Sequence, residues 1–210
     1  MDLEHGLREQ AADHGHAIDK IARNKLGAFL RLLAKWNRTY NLTAIREPEQ
    51  MVTHHVLDAL SVLPHLPARA GLRVLDVGSG PGVPGIPLAL ARPDAQFVLI
   101  DSSQKKTAFL QQAVIELGLA NVEVVHERSE DYTPPAPFDV VISRAFADLA
   151  GFAASAGRHL APDGRLYAMK REHPADEIAR LPASYRVVAT PALKVPGLDA
   201  ARHLVIIAAA

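Results

Sequence analysis

Four glycines after a short apolar run indicate a turn that contacts a bound molecule. The run Arg73–Val77 leads into Gly78-Ser-Gly80-Pro-Gly82, and Gly85 follows three residues later. Glycine lets a backbone approach a ligand closely at small steric cost, so this composition suits a binding turn. The spacing of Gly80, Gly82 and Gly85 also matches the dinucleotide-binding pattern, which alone has many chance matches.

Two acidic residues narrow the choice of ligand. Asp76 lies just before the turn, where its carboxylate would repel the pyrophosphate of a nicotinamide dinucleotide. An acid ahead of such a turn is typical of S-adenosylmethionine sites, because this ligand carries an ammonium and no phosphate. Asp101 ends the next apolar run, roughly 20 residues further on, where an acid binds ribose hydroxyls in this architecture. We therefore expect S-adenosylmethionine as the cofactor, with an ordinary helix N-cap as the alternative for Asp101.

Polar residues after two later apolar runs complete the candidate cofactor site. Ser129 and Glu130 follow the third run, and we expect them to border the adenine. Arg144 follows the fourth run and is a cation in a site otherwise rich in acids. The carboxyl ends of parallel strands face one crevice, so these residues should meet there. A structural salt bridge is the alternative for Arg144.

The residue inventory also restricts the methyl acceptor. Methylation at pyrimidine carbon 5 usually needs a cysteine nucleophile, and the chain has no cysteine. Methylation of an exocyclic amine commonly uses an Asn/Asp-Pro-Pro-aromatic motif, but the fourth run ends Ile142-Ser-Arg-Ala-Phe146. A ring nitrogen such as guanine N7 carries a free lone pair and needs only alignment. No general base is then obligatory, and no catalytic residue is assigned.

A basic segment precedes these runs. Lys20 to Arg46 contains seven basic residues and no acid, although the whole chain balances 23 Lys plus Arg against 23 Asp plus Glu. Apolar residues recur there at helical spacing, which predicts an amphipathic helix with a basic face. We expect this face and the following loop to bind RNA phosphates, with simple solvation of the charges as the alternative. The candidate residues are Lys20, Arg31, Lys35, Arg38 and Arg46.

Composition supports a globular protein of one domain with an appendage. The 210 residues are 49% hydrophobic and 22% charged, near the globular norm. No signal peptide or membrane-spanning run is evident, so we expect a cytoplasmic protein without membrane contact. The histidine pairs His14/His16 and His54/His55 do not suit a metal site, and we expect none.

The periodicity changes near residue 70, which divides the chain into two predicted parts. Residues 1–70 form a basic N-terminal helical extension, and residues 71–210 form a Rossmann-like α/β domain. Short apolar runs alternate there with helix-length segments, which predicts a doubly wound parallel sheet with an antiparallel pair of strands at its end. The predicted strands are 73–77, 97–100, 122–125, 139–142, 166–169, 185–190 and 203–208. The predicted helices of this domain are 84–91, 104–117 and 149–160, and a further helix is predicted over 48–66 in the extension.

Several motifs together resemble the ribosomal RNA small subunit methyltransferase G family, also called glucose-inhibited division protein B. They are Trp36-Asn-Arg-Thr-Tyr-Asn-Leu-Thr43, His55-Val-Leu-Asp58, Leu75–Pro87, Asp101-Ser102 with Lys105-Lys106, Ser143-Arg144-Ala145 and Arg202-His-Leu-Val205. The resemblance implies a seven-stranded class I S-adenosylmethionine-dependent methyltransferase that modifies guanine N7 in 16S ribosomal RNA. It also implies cofactor contacts at five positions, which are Gly78, Val83, Ser129, Glu130 and Arg144. Asn41, His55 and Asp58 match family positions without an assigned role.

Other functions remain open at this point. The same fold and cofactor would serve a methyltransferase for another RNA site or for a small molecule. An RNA-binding ribosome-assembly factor without activity would keep the sheet, but the intact turn from Asp76 to Gly82 speaks against it. A nicotinamide oxidoreductase is a distant further alternative. We expect 16S ribosomal RNA or the 30S subunit as partner, and a monomer.

Overall fold

The computed structural model describes residues 2–14, 18–144, 146 and 148–210. A seven-stranded sheet forms its centre, in the order β3-β2-β1-β4-β5-β7-β6. The strands are β1 (Arg73–Val77), β2 (Gln96–Asp101), β3 (Val122–His126), β4 (Phe138–Ser143), β5 (Leu160–Lys170), β6 (Tyr185–Ala189) and β7 (His203–Ala209). The first five run parallel, and β7 lies antiparallel between β5 and β6. The predicted Rossmann-like sheet with its antiparallel end is confirmed.

Helices cover both faces of this sheet. They are α1 (Leu3–His14), α2 (Lys20–Tyr40), α3 (Pro48–Met51), α4 (Asp58–Leu60), α5 (Gly85–Ala91), α6 (Gln104–Leu117), α7 (Leu149–Ala156) and α8 (Ala175–Ala179). A π-helical stretch, Val52–Leu57, joins α3 to α4, and short 3₁₀ turns cover Leu63–His65 and Gly157–His159. No helix among the described residues is long and apolar enough to cross a bilayer.

Alternating side chains of the strands build two hydrophobic clusters. In β2, Phe97 and Leu99 face one cluster while Val98 and Ile100 face the other. Parallel strands are buried on both faces, which explains why their sequences are continuous apolar runs. The first cluster also contains residues of α2, α5 and α6, and the second contains α7.

Helix α2 places the basic segment on the outside of the first cluster. Asp19 caps the helix by accepting a hydrogen bond from the Ala22 N–H at 2.7 Å. Leu26, Phe29 and Leu33 are fully buried against the helices of the sheet domain. The predicted amphipathic helix is confirmed, with Leu32 also buried. The boundary near residue 70 stays a prediction.

Three elements differ from the predicted lengths by more than two residues. The expected helix from Pro48 to Leu66 is interrupted by the π-helical stretch, which widens a turn and is common near functional sites. The helix expected over 149–160 ends at Ala156 and continues as a 3₁₀ turn. Strand β5 begins at Leu160 rather than at residue 166, because Leu160 already pairs with Phe138 of β4, ahead of an irregularity in the register between Phe138 and Val140.

Candidate cofactor and nucleic-acid sites

The glycine turn is fixed to the end of β2 by its own backbone. Gly78, Gly80 and Gly82 adopt φ values of 69°, 56° and 83°, which other residues rarely adopt. The Gly78 and Ser79 N–H groups both donate to the carbonyl oxygen of Ile100, at 2.9 and 3.1 Å. The turn therefore lies directly over the carboxyl ends of β1 and β2.

Asp76 is fully buried beneath this turn. Its Oδ2 accepts a hydrogen bond from the Gly85 N–H at 3.0 Å, while its Oδ1 is buried with no partner among the described residues. Burial away from water raises the pKa of Asp76 to about 7, although the bond from Gly85 and the charge of Arg144 oppose this shift. Buried carboxylate oxygens are normally satisfied, so Oδ1 suits a positively charged donor.

Asp101 joins the turn to the start of α6. Its Oδ2 accepts from the Gly80 N–H at 2.9 Å, and its Oδ1 accepts from the Ser103 N–H at 2.9 Å. The Lys106 ammonium lies 3.5 Å from Oδ2. The N-cap position of α6 is Ser103, two residues beyond Asp101. Asp101 therefore orders the turn before the helix and also borders the adjacent cavity.

A cavity of about 300 Å³ opens at the carboxyl ends of β1, β2 and β3. Four of the predicted cofactor residues line it, together with Lys106 and Phe146. The four are Gly78, Asp101, Ser129 and Glu130. The other predicted turn residues, Asp76, Gly80, Gly82 and Val83, are not in its lining, and Val83 is buried in the first hydrophobic cluster. Sequence reasoning missed Lys106 and Phe146, although both lie beside predicted residues.

Ser129 and Glu130 are anchored to the far wall of this cavity. The carbonyl oxygen of Ser129 accepts a hydrogen bond from the His159 ring at 2.9 Å. The Glu130 carboxylate accepts from the Ser155 hydroxyl at 3.0 Å, yet 55% of the Glu130 side chain is exposed. Hydrogen bonds from its own backbone and from Ser155 lower the pKa of Glu130, so it is ionised at neutral pH. The exposed carboxylate can accept further hydrogen bonds from a ligand.

Arg144 points away from this cavity and into an ion cluster. Its Nη1 donates to the His54 carbonyl oxygen at 2.8 Å and lies 3.5 Å from the Asp58 carboxylate. The same carboxylate accepts from Arg202 Nε at 3.2 Å. Arg144 instead lines a second cavity and an open cleft. Its family neighbour Ala145 lies outside the described residues.

The remaining family positions have structural contacts. Asn41 ends α2 in the left-handed conformation with a φ of 49°, and its side chain accepts from Arg46 at 3.3 Å. His55 contacts the Thr43 hydroxyl at 3.0 Å, and burial lowers the pKa of His55 to about 3, so its ring is neutral. Asp58 is the shared partner of two arginines. Arg202 received no role from the sequence, because its partner lies in a distant segment.

The predicted RNA-binding residues lie at the surface. All five side chains are exposed, and they are Lys20, Arg31, Lys35, Arg38 and Arg46. Two other basic residues of α2 have partners, since Arg23 pairs with Glu4 at 3.2 Å and Lys25 donates to the Gly118 carbonyl. Within the described ranges no group of three or more metal-binding side chains occurs, and His16 lies outside those ranges.

Solved structures with similar folds include methyltransferases. The ribosomal protein L11 methylase of Lactobacillus delbrueckii subsp. bulgaricus matches 73% of this chain and 76% of its own, with a TM-score of 0.56 and 17% identity. An S-adenosylmethionine-dependent methyltransferase of Thiobacillus denitrificans, solved with S-adenosylhomocysteine, matches 85% and 97%, with a TM-score of 0.52 and 16% identity. The fold is that of the class I S-adenosylmethionine-dependent methyltransferases.

Sequence comparison defines the family within this class. The family model GidB, rRNA small subunit methyltransferase G, matches residues 22–205. Ribosomal RNA small subunit methyltransferase G of Aromatoleum aromaticum is 54% identical over 210 residues, covering 98% of this chain and 96% of its own. The protein of the same name from Chromobacterium violaceum is 54% identical over 204 residues, covering 97% and 95%. The chain belongs to the rRNA small subunit methyltransferase G family, which confirms the resemblance.

Proposed function

We propose that this protein transfers a methyl group from S-adenosylmethionine to N7 of a guanine in 16S ribosomal RNA. The family match over residues 22–205 carries the proposal. The cavity beside the glycine turn supports the choice of cofactor, and the basic face of α2 supports an RNA acceptor. An RNA substrate within the ribosome implies a cytoplasmic location.

The residues around the first cavity fit this cofactor. Asp101 and Glu130 line the cavity and offer acceptors suited to ribose hydroxyls and an amine. Asp76 lies outside this lining, buried beneath the glycine turn, and its unpartnered Oδ1 suits a cationic group. Gly78 lines the cavity without a side chain of its own. When bound, S-adenosylmethionine supplies an electrophilic methyl group on its sulfonium. The chain itself binds, orients and shields the reactants.

We expect the protein to accelerate methyl transfer mainly by positioning the guanine against the methyl group. Guanine N7 has an in-plane lone pair and no proton to remove, so alignment alone supplies much of the rate. Phe146 lies between the first cavity and the open cleft and offers an aromatic face on which a base can stack. The absence of cysteine from the 210 residues excludes a thiol nucleophile.

Transfer of labelled methyl groups tests this function. Purified protein receives radiolabelled S-adenosylmethionine with either 30S particles or naked 16S RNA from cells that lack their own homologue. Label at one guanine in either substrate supports the proposal. Binding of S-adenosylhomocysteine by calorimetry without transfer to either RNA would refute the RNA acceptor and favour a small molecule. RNA binding without cofactor binding would favour an inactive assembly factor.

A charge-reversed protein tests the role of the basic face of α2. Four residues of this face are changed to glutamate together, and they are Lys20, Arg31, Lys35 and Arg38. We expect RNA methylation to be lost, because phosphate contacts supply much of the affinity for RNA, while cofactor affinity stays unchanged. Normal methylation by this variant would show that the face is only solvated.

A further inference from the structure

A second cavity, of about 250 Å³, lies beside the ion cluster of Arg144. It is bounded by the loop after α2, the π-helical stretch, the end of β5 and the start of β7. Five charged side chains line it, and they are Asp58, Arg144, Lys170, Arg171 and Arg202. Asp58 is the one carboxylate among the described residues of this lining.

The cavity has an excess of positive charge. Asp58 pairs with both Arg144 and Arg202, at 3.5 and 3.2 Å, so two guanidinium groups share the one carboxylate of the lining. Asp76, which is outside the lining, also acts on Arg144 through its charge. Lys170 is balanced by Glu177 at 2.8 Å. Arg171 is exposed and has no ion pair within the described part of the chain. His55 is neutral and does not alter this balance.

Burial makes this excess unfavourable without an anion. The side chain of Arg202 is only 12% exposed and that of Arg144 26%. Like charges repel more strongly where little water screens them. His203, also in the lining, has a buried Nδ1 without a partner among the described residues. Guanidinium groups bind phosphate oxygens well, because their fork of donors matches that geometry.

The second cavity adjoins the open cleft in which the methyl acceptor would bind. It shares Arg144, Lys170 and Arg171 with the open cleft, and the cleft meets the first cavity at Phe146. The cleft thus separates the proposed cofactor cavity from the cationic one. A base in the cleft would have its backbone within reach of the arginines.

We propose that the second cavity binds an RNA phosphodiester next to the target guanine, with Arg171 and Arg202 as its contacts. This inference rests on the proposed function, because it assumes that the acceptor base occupies the cleft. Asp58 is then a positioning residue, which holds Arg144 and Arg202 against the cavity wall.

The substitution Arg171→Gln tests the site, because this exposed residue is not needed for packing. Arg186→Gln on β6 is the matched control, since it removes the same charge from an exposed position outside the cavity. Affinity for 30S particles is measured by filter binding at several salt concentrations, and KM by methyl transfer. Loss of one phosphate contact should lower the slope of log affinity against log salt by about 0.7 to 0.9. We expect this lower slope and a KM raised about 5- to 10-fold for Arg171→Gln only.

The outcomes separate this inference from the function on which it rests. Equal slopes and KM values for the two variants would refute the phosphate site. Failure of the wild-type protein to methylate RNA would refute the proposed function, whereas the binding slopes would still decide the inference.

A second experiment tests whether the ligand is free phosphate. Inorganic phosphate is titrated by calorimetry into wild-type protein and Arg171→Gln. Tight phosphate binding that Arg171→Gln abolishes, with an unchanged RNA slope, would identify a free phosphate as the ligand and overturn the RNA assignment. Arg202→Lys, which keeps the charge but not the fork of donors, should raise KM with a smaller change of slope.

Discussion

The affinity for the cofactor should depend on pH through Asp76. Its buried carboxyl has a pKa of about 7, and an ammonium at the unpartnered Oδ1 would favour the ionised form. With this pKa, about one tenth of the carboxyl is ionised at pH 6 and about nine tenths at pH 8. We therefore expect S-adenosylhomocysteine to bind about tenfold more weakly at pH 6 than at pH 8, which is about 1.4 kcal/mol.

The variant Asp76→Asn isolates this effect. Asparagine keeps an oxygen for the Gly85 N–H and resembles the protonated acid, so the turn should remain folded. Its affinity should be lower than that of the wild type at pH 8 and nearly constant from pH 6 to pH 8. Isothermal titration calorimetry over this range measures both proteins, and the variant corrects for titration of the ligand itself. Wild-type affinity that is independent of pH and equal to that of the variant would refute the reasoning and leave Asp76 with a role in the turn only.

The same carboxyl should influence folding without ligand in the opposite direction. Its pKa is raised in the folded protein above the ordinary value of 3.8, so the folded state binds more protons between about pH 4 and pH 7. The contribution of Asp76 to the free energy of unfolding should therefore fall as pH rises through this window. Urea denaturation should therefore show that the free energy of unfolding of Asp76→Asn increases, relative to that of the wild type, as the pH rises. A difference that stays constant with pH would contradict the burial argument.

Three other substitutions test the contacts around the site. Gly85→Ala would place a methyl group against Leu99 and 2.7 Å from the Asp76 carboxylate. Urea denaturation should therefore show a free energy of unfolding lower by about 1–3 kcal/mol. The control Gly27→Ala in α2 meets no neighbour closer than 3.4 Å and should not lower the stability. Burial lowers the pKa of His55 to about 3, so below about pH 6.5 the unfolded chain takes up a proton that the folded chain does not. The free energy of unfolding should therefore fall below this pH by up to about 1.4 kcal/mol per pH unit. His55→Gln should reduce this slope in urea denaturation. Asp101→Asn leaves one of two backbone N–H donors unmatched, which should cost about 1–3 kcal/mol of stability and weaken S-adenosylhomocysteine binding in calorimetry; unchanged values would contradict the role of Asp101 in the turn.

Local patterns were sufficient to predict the sheet and the turn. The helix over 104–117 and the strand Arg73–Val77 have the predicted bounds, because each is defined by apolar periodicity within one segment. The φ values of Gly78 and Gly82 confirm the tight turn that their spacing indicated. The parallel orientation of the first five strands was also predictable, because strands joined by helical crossovers run parallel.

Contacts between distant segments could not be predicted from spacing. Asp58 and Arg202 meet only because β7 inserts beside β5, so no local pattern marks them as partners. The π-helical stretch, Val52–Leu57, was missed because its apolar residues continue the helical spacing of the segment around it. The orientation of Arg144 toward His54 likewise depends on this stretch, and the sequence placed it only at a strand end.

The identity of the methylated nucleoside tests the proposed function most directly. 30S particles from cells that lack their own homologue are incubated with the protein and S-adenosylmethionine, and their 16S RNA is digested to nucleosides for mass spectrometry. We predict one additional 7-methylguanosine per RNA, which forms more slowly when Asp76→Asn replaces the wild type at limiting cofactor. Methylation on another atom or another base, or none in the presence of bound cofactor, would contradict it.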